Sequence, residues 1–324
     1  MGLRPILLLF ENEASFVLQD LALLRERYEV VPVDCGRGWS GRRAIGDLRR
    51  ASASFSWFAL GYAARAALWG RLLRRPSVLV SGGWDVISMP EIGYGAAQTP
   101  RGRRRARLAL RNANAVLATS EWSRKTIRDL SGRDPERLYL GVDTAKWAPH
   151  GSKEDIVVTA GNVTRENFKR KGMETFVKAA AEVPDVRFVL VGKHVGDAAE
   201  VLRKISPPNV EFPGYLSDEA MVDLIARAKV YVQASYNEGF GLALAEAMAA
   251  GCVPVVTKEG SVPEVAGDAG FYVPFGDAAR TGQAVREALA SSRGAAASDR
   301  IQENFPLSKR RQRLHALFGE LLGA

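Results

Sequence analysis

The sequence predicts an α/β protein made of two doubly wound, parallel-sheet, Rossmann-like domains facing each other across a cleft. Three observations predict it. Apolar runs such as Ile6-Leu7-Leu8-Leu9-Phe10 and Ile156-Val157-Val158 are continuous rather than alternating, as in strands buried on both faces. Each run is followed by a helical segment, the pattern of βαβ units. The alternation breaks once, at Trp147-Ala148-Pro149, giving expected domains of 1–148 and 149–305. Residues 306–324 remain as a terminal helix, Leu307 to Leu322, expected to pack back on the first domain.

In the first domain, Pro5 to Phe10 reads as a buried strand and Phe16 to Arg27 as an amphipathic helix. Tyr28 to Val33 reads as the next strand, Phe55 to Arg75 as a long helical region, and Ser77 to Ser81 as a strand. A basic helix then leads to the strand Ala115 to Thr119, after which Ser120 can cap a helix from Glu121 to Leu130. The second domain has strand signals at Ile156 to Ala160, Val186 to Val191, Val210 to Phe212, Val230 to Ala234 and Val253 to Val256. A helix from Leu242 to Ala250 closes on Gly251, the position a left-handed glycine prefers.

With 324 residues, 47% hydrophobic and 25% charged, the chain has the composition of a soluble globular protein. Cys35 and Cys252 are too few for a disulfide framework or a zinc site, and suggest a reducing, cytoplasmic setting. Ile6 to Phe10 is too short for a secretory leader, and Phe55 to Trp69 too short and too charged to span a bilayer. Charge is uneven: residues 1–150 hold 24 Lys+Arg against 14 Asp+Glu, whereas residues 151–324 hold 21 against 22. A cationic first half, with a cluster from Arg101 to Arg107, favours an anionic partner. Phe55, Phe58, Tyr62, Trp69 and Leu73 fall near one helical stripe, which could face either the core or the inner surface of an anionic cell membrane.

The chemistry concentrates in the second half. After the strand Val230 to Ala234 comes Asn237-Glu238-Gly239-Phe240-Gly241-Leu242, then Glu246 one turn into the helix. A strand, a glycine turn and a helix N-terminus present backbone N–H groups and a partial positive charge to a phosphate or diphosphate. Glu246 would then reach a ribose diol, and Glu238 whatever the nucleotide carries. Arg165 and Lys171, after the first strand of this half, could neutralise the diphosphate at the same sheet edge.

Arg165-x5-Lys171-Gly172, Phe212-Pro213-Gly214-Tyr215, Glu238-x7-Glu246, Ala247-Met248-Ala249-Ala250-Gly251 and Val262-Pro263-Glu264-Val265 together resemble glycosyltransferase family 4 (group 1). These are retaining nucleotide-sugar glycosyltransferases of the GT-B fold, and the resemblance spans about residues 156–290. It implies that Arg165 and Lys171 hold the donor diphosphate, joined by backbone N–H groups around Gly239, Phe240, Gly241 and Leu242. Glu246 would bind the ribose, Glu238 a sugar hydroxyl, and Gly214 and Tyr215 the base. The implied reaction moves a hexose from a UDP- or GDP-linked donor to a hydroxyl of a glycan or lipid-linked acceptor. No cofactor is implied, and with no Asp-x-Asp pair in the chain no metal is required.

The first half departs from that family. Glu11-Asn12-Glu13-Ala14-Ser15 replaces a glycine-rich loop, and His150, His194 and His315 all lie at or beyond the boundary, so the expected first-domain histidine is missing. Asp85, in Ser81-Gly82-Gly83-Trp84-Asp85, is the substitute candidate, with Glu91 second; a turn-capping aspartate is the competing explanation. His194 reads as a loop residue and not a ligand. Three rivals are a sugar-nucleotide 2-epimerase of the same fold, a non-catalytic nucleotide-sugar binder and a nucleic-acid module using the arginine cluster. The last lacks interleaved stacking aromatics and leaves the second domain unexplained, so no nucleic-acid partner is expected.

Overall fold

The computed structural model describes residues 4–323. The chain divides into two compact units, one running up to Leu140 and resuming at Ser308, the other spanning Gly141–Leu307. The first unit contains β1 (Ile6–Phe10), α1 (Ser15–Arg25), β2 (Val30–Asp34), α2 (Gly41–Arg50), β3 (Ala53–Trp57) and α3 (Gly61–Leu72). It continues with β4 (Ser77–Ser81), α4 (Pro100–Asn112), β5 (Ala115–Ala118), α5 (Glu121–Ser131) and β6 (Glu136–Arg137). Its six strands pair in the order β2-β1-β3-β4-β5-β6, all parallel. Strands β1, β3 and β4 are buried along their whole length, as a sheet covered on both faces requires.

The second unit contains β7 (Glu154–Ala160), α6 (Arg165–Arg170), α7 (Met173–Ala179), β8 (Arg187–Val191), α8 (Ala198–Ile205), β9 (Val210–Gly214) and α9 (Asp218–Arg227). Then come β10 (Ala228–Gln233), α10 (Leu242–Ala249), β11 (Val253–Val256), α11 (Val262–Ala266), β12 (Phe271–Tyr272), α12 (Ala278–Leu289) and α13 (Gly294–Asn304). The strand order is β12-β11-β10-β7-β8-β9, again parallel, which makes β10 and β7 the central pair. Two parallel six-stranded sheets with helical crossovers bear out the expected α/β class with two doubly wound units. The last helix, α14 (Leu307–Leu322), is bound into the first unit through Arg310, whose guanidinium donates to Asp20 Oδ1 and Oδ2 at 2.6 and 2.7 Å.

The sequence reading of Phe55 to Arg75 as one helical region is corrected. Ala53–Trp57 is a strand, and the helix begins only at Gly61. Phe58 between them takes a left-handed backbone, φ 70°, while its N–H donates to Val80 O at 2.8 Å. Strand β3 reads ASFSW, and its buried serines masked the apolar signature. Phe55 and Phe58 therefore lie off the helix, and the predicted aromatic stripe does not form. Helix α2 was also missed, because only Ala44 and Leu48 of its arginine-rich sequence are buried.

Candidate active site

The site grows from the carboxyl end of β10. Beyond Gln233 the chain turns through Ser235 and Asn237 to Glu238, whose backbone carbonyl accepts from Ser261 N and Oγ at 3.2 and 2.9 Å. Thr257 Oγ1 donates to Ser235 O at 2.6 Å, so the segment after β11 clamps this turn. The Glu238 carboxylate accepts at Oε1 from Lys171 Nζ at 2.9 Å and from Gln233 Nε2 and Ser235 Oγ at 3.0 Å each. Glu238 and Lys171 are only 11% and 19% exposed, so the pair works in a largely desolvated setting. Burial pushes the Glu238 carboxyl up, but Lys171 and Arg170 outweigh it and hold the group below its ordinary value. Burial, chiefly, lowers the Lys171 ammonium from its ordinary value.

Lys171 is positioned by the junction of α6 and α7. Thr164 caps α6 at Asn167 N, and Tyr236 N donates to Arg170 O at 2.7 Å, docking the junction beside Glu238. Gly172 follows in a left-handed conformation, φ 63°, where any β-carbon would run into the Ala234 carbonyl. Gly172→Ala should therefore destabilise the protein by about 2 kcal/mol or more and weaken nucleotide binding together with it. Thermal unfolding and calorimetric titration of a nucleoside diphosphate check both effects.

Arg165 is not brought to this cluster. Its guanidinium makes a two-bond pair with Asp197 at 3.0 and 2.6 Å, in the open, with 55% of the side chain exposed. The second cation beside Glu238 is Arg170, which the sequence reading passed over. Arg170 Nη1 lies 3.9 Å from Glu238 Oε2, and Asn167 Oδ1 accepts from Arg170 Nε and Nη2 at 3.0 and 2.7 Å. The adjacent basic pair Arg170-Lys171, next to a glycine held in a left-handed turn, was the available signal.

Helix α10 begins beside this cluster. Its N-cap is Gly241, φ 94°, with no capping side chain, so the first-turn N–H groups carry the positive end of the helix dipole without a side-chain acceptor. Phe240 is buried and its ring packs on Phe305 at 5.5 Å, anchoring the turn. Glu246 lies further along α10. Burial pushes its carboxyl up to about 7, with Lys146 opposing and Asp218 reinforcing the shift. Among the described residues that carboxylate accepts no hydrogen bond, in contrast to Glu238. Buried Tyr231 feels both acids: burial chiefly raises its phenol, the hydrogen bond from Ala160 N opposes, and the charges of Glu238 and Glu246 add to the rise.

At the other side of the sheet edge, Gly214 ends β9 with φ 81°, Gly192 N donates to its carbonyl at 3.0 Å, and Tyr215 projects into solvent. His194 lies under this turn. Its backbone bridges to Val163, its Nε2 is buried without a partner among the described residues, and burial lowers its pKa.

Asp85 is a different matter. It is buried in the first unit, accepting from Ala59 N at 2.6 Å and from Ser81 Oγ at 3.0 Å, and burial pushes it up to about 6. Both oxygens hold the turns after β3 and β4, where Phe58 adopts its left-handed backbone. These contacts are those of the turn-capping alternative, and they leave both Asp85 carboxylate oxygens engaged with the first unit's own backbone and Ser81. Glu91 sits in a short 3₁₀ turn, Pro90–Ile92.

The profile of the family described as Glycosyl transferases group 1 matches residues 154–291, the stretch that builds the β10 edge. Within residues 154–291 the chain matches the group 1 glycosyltransferases. The chain is 27% identical over 250 residues to the lipopolysaccharide core biosynthesis mannosyltransferase LpcC of Rhizobium leguminosarum bv. viciae, covering 66% of each. It is 30% identical over 174 residues to the phosphatidyl-myo-inositol mannosyltransferase of Mycolicibacterium smegmatis, covering 50% of this chain and 45% of that protein. Against the alpha-galactosylglucosyldiacylglycerol synthase of Streptococcus pneumoniae it is 36% identical over 112 residues, 32% of this chain and 28% of the other. The aligned segments thus span less than two thirds of each relative. Its fold matches that of Anabaena Alr3699/HepE in complex with UDP at a TM-score of 0.78, with 19% identity and coverage of 98% and 100%. Sucrose-phosphate synthase (tll1590) from Thermosynechococcus elongatus gives 0.80 with 18% identity, covering 99% of both chains.

Proposed function

We propose that this group 1 transferase moves a hexose, with retention of configuration, from a nucleotide-diphosphate sugar to a hydroxyl of a glycan or lipid-linked acceptor. The observation that carries the reading is the buried Glu238 held by Lys171 and Arg170 beside the uncapped N-terminus of α10. Two cations and a helix dipole suit a diphosphate, and a carboxylate kept ionised among them suits a sugar hydroxyl. In the transfer, the bond from the sugar's anomeric carbon to the phosphate oxygen breaks and a bond to the acceptor oxygen forms on the same face. The acceptor's proton passes to the departing phosphate, whose charge Lys171 and Arg170 stabilise. Arg165 could join them only by leaving Asp197. The chain's own cations supply the countercharge to the leaving phosphate, so we propose a metal-independent reaction. The complex of Alr3699/HepE with UDP and glucose supports a nucleotide-sugar donor, and the lipid-directed names of two relatives support a lipid-linked acceptor and a place at the membrane face of the cytoplasm.

The test is to incubate the protein with a panel of nucleotide sugars and acceptors and follow the released nucleotide. Lys171→Ala should lower turnover by about tenfold or more, the loss of one partner to a desolvated phosphate being worth about 2–5 kcal/mol. Full activity in that variant would sink the site assignment; an epimerised donor without acceptor dependence would move the protein to the 2-epimerases.

Glu246 adds a pH signature. In the folded chain its carboxyl ionises near 7 instead of the ordinary 4.5. Ionising it therefore costs stability, and that cost grows as pH rises from 4.5 to 7. Ribose hydroxyls donating to the carboxylate repay part of the cost, so nucleotide affinity should increase between pH 6 and 8, by roughly tenfold if the whole ionisation is coupled. Titration calorimetry across that range should give a flat profile for Glu246→Gln.

A further inference from the structure

The first unit carries an apolar-basic surface that neither the donor site nor the core uses. Of its exposed large hydrophobic residues, three stand on two helices packed against each other: Leu68 and Leu72 of α3, and Leu108 of α4. Leu72 is 71% exposed and lies one turn from Leu68. Arg71 Nη1 donates to Asn112 Oδ1 at 3.0 Å, and Asn112 Nδ2 donates back to Leu108 O at 2.8 Å. Those two bonds join the leucine-bearing end of α3 to Leu108. Arg101, Arg104, Leu108 and Arg111 recur at three- and four-residue spacing, so they share the solvent face of α4, opposite the buried Ala106 and Leu110.

The charge on this surface has one sign. Helix α3 reads GYAARAALWGRL and α4 PRGRRRARLALRN, with no acid in either. Arg107 and Arg111 donate through Nε to the carbonyls of Leu130 and Ser131 at the end of α5, at 2.9 and 2.8 Å, while Arg101 and Arg104 are exposed. Exposed leucines add nothing to binding a phosphodiester chain in water, and no exposed aromatic on these helices offers a stacking platform. Both residue types are used at once by a bilayer surface, where leucines enter the acyl boundary and arginines meet lipid phosphates.

We propose that the α3–α4 face is a peripheral docking surface for anionic lipid bilayers, with Leu68, Leu72 and Leu108 inserted and Arg101 and Arg104 against the headgroups. This deepens the lipid-linked acceptor reading, but vesicle binding reports on it whether or not the donor assignment holds.

The experiment is co-sedimentation of the full chain with vesicles of equimolar phosphatidylcholine and phosphatidylglycerol, with pure phosphatidylcholine as reference. Wild type should sediment with the anionic vesicles and be released by added salt. The charge-neutral variant Leu72→Ser/Leu108→Ser should lose binding by at least about fivefold, the insertion of two side chains being removed. Arg101→Gln/Arg104→Gln should lose a comparable factor and abolish most of the salt sensitivity. Val195→Ser/Ile205→Ser, which removes exposed apolar residues of the second unit, should bind like wild type. All substituted positions are solvent-facing, and thermal unfolding confirms that each variant is folded. Unchanged binding by the leucine variant overturns the proposal. So does wild-type protein that ignores the vesicles while binding a single-stranded polynucleotide, which would assign the arginines to nucleic acid.

Discussion

Glu238→Ala should lose turnover by at least about 100-fold while binding free nucleoside diphosphate more tightly than the wild type. The two effects have opposite signs because Glu238 has two relationships. It is the carboxylate proposed to accept from a donor-sugar hydroxyl, so its removal takes a contact needed in the transition state. It is also the anion that occupies Lys171 at 2.9 Å and faces Arg170 at 3.9 Å. Without it, Lys171 loses its 2.9 Å ion-pair partner in a setting that is nearly dry, and a diphosphate becomes an anion able to take that place. A residue of purely structural importance would weaken both readouts together. Steady-state kinetics with the preferred donor and calorimetric titration of the nucleotide product separate the cases.

Asp20→Ala should lower the stability of the first unit by about 3–5 kcal/mol. Asp20 and Arg310 are 0% and 1% exposed. Among the described residues, the alanine leaves a buried guanidinium with the carbonyls of Leu138 and Tyr139 as acceptors, at 3.1 and 3.0 Å, and strips the indole N–H of Trp57 of its partner at 3.0 Å. Urea unfolding followed by tryptophan fluorescence reads the loss. The double variant Asp20→Ala/Arg310→Leu should recover much of it, since removing both charges removes the stranded one.

Strands β4 and β11 and the helix α14 could be read from the sequence to the residue, because each is a compact apolar or periodic run with clear punctuation. Strand β3 could not. Its serines are buried by tertiary packing, and the break at Phe58 depends on bonds from the neighbouring strand and on Asp85, none of which is local in sequence. The site divides in the same way. Glu238 follows from its place just after a strand end, and Lys171 and Gly172 from a basic run closed by a glycine. The exchange of Arg165 for Arg170 turns on Asp197 lying near one guanidinium and Asn167 near the other, a choice made by rotamers and short helices. The partners of Asp85 were not legible, because a carboxylate after a strand looks the same whether it faces a ligand or the backbone of a neighbouring turn.

The bond between Asp20 and Arg310 joins residues 290 positions apart. A ribosome adding roughly 5–20 residues per second delivers the arginine about 15–60 s after the aspartate. The intervening unit, contiguous in the polypeptide, is synthesised during that interval. The N-terminal sheet meanwhile waits with its carboxylate uncompensated and the ground under α14 uncovered, so translation order makes it the natural client for a holding chaperone.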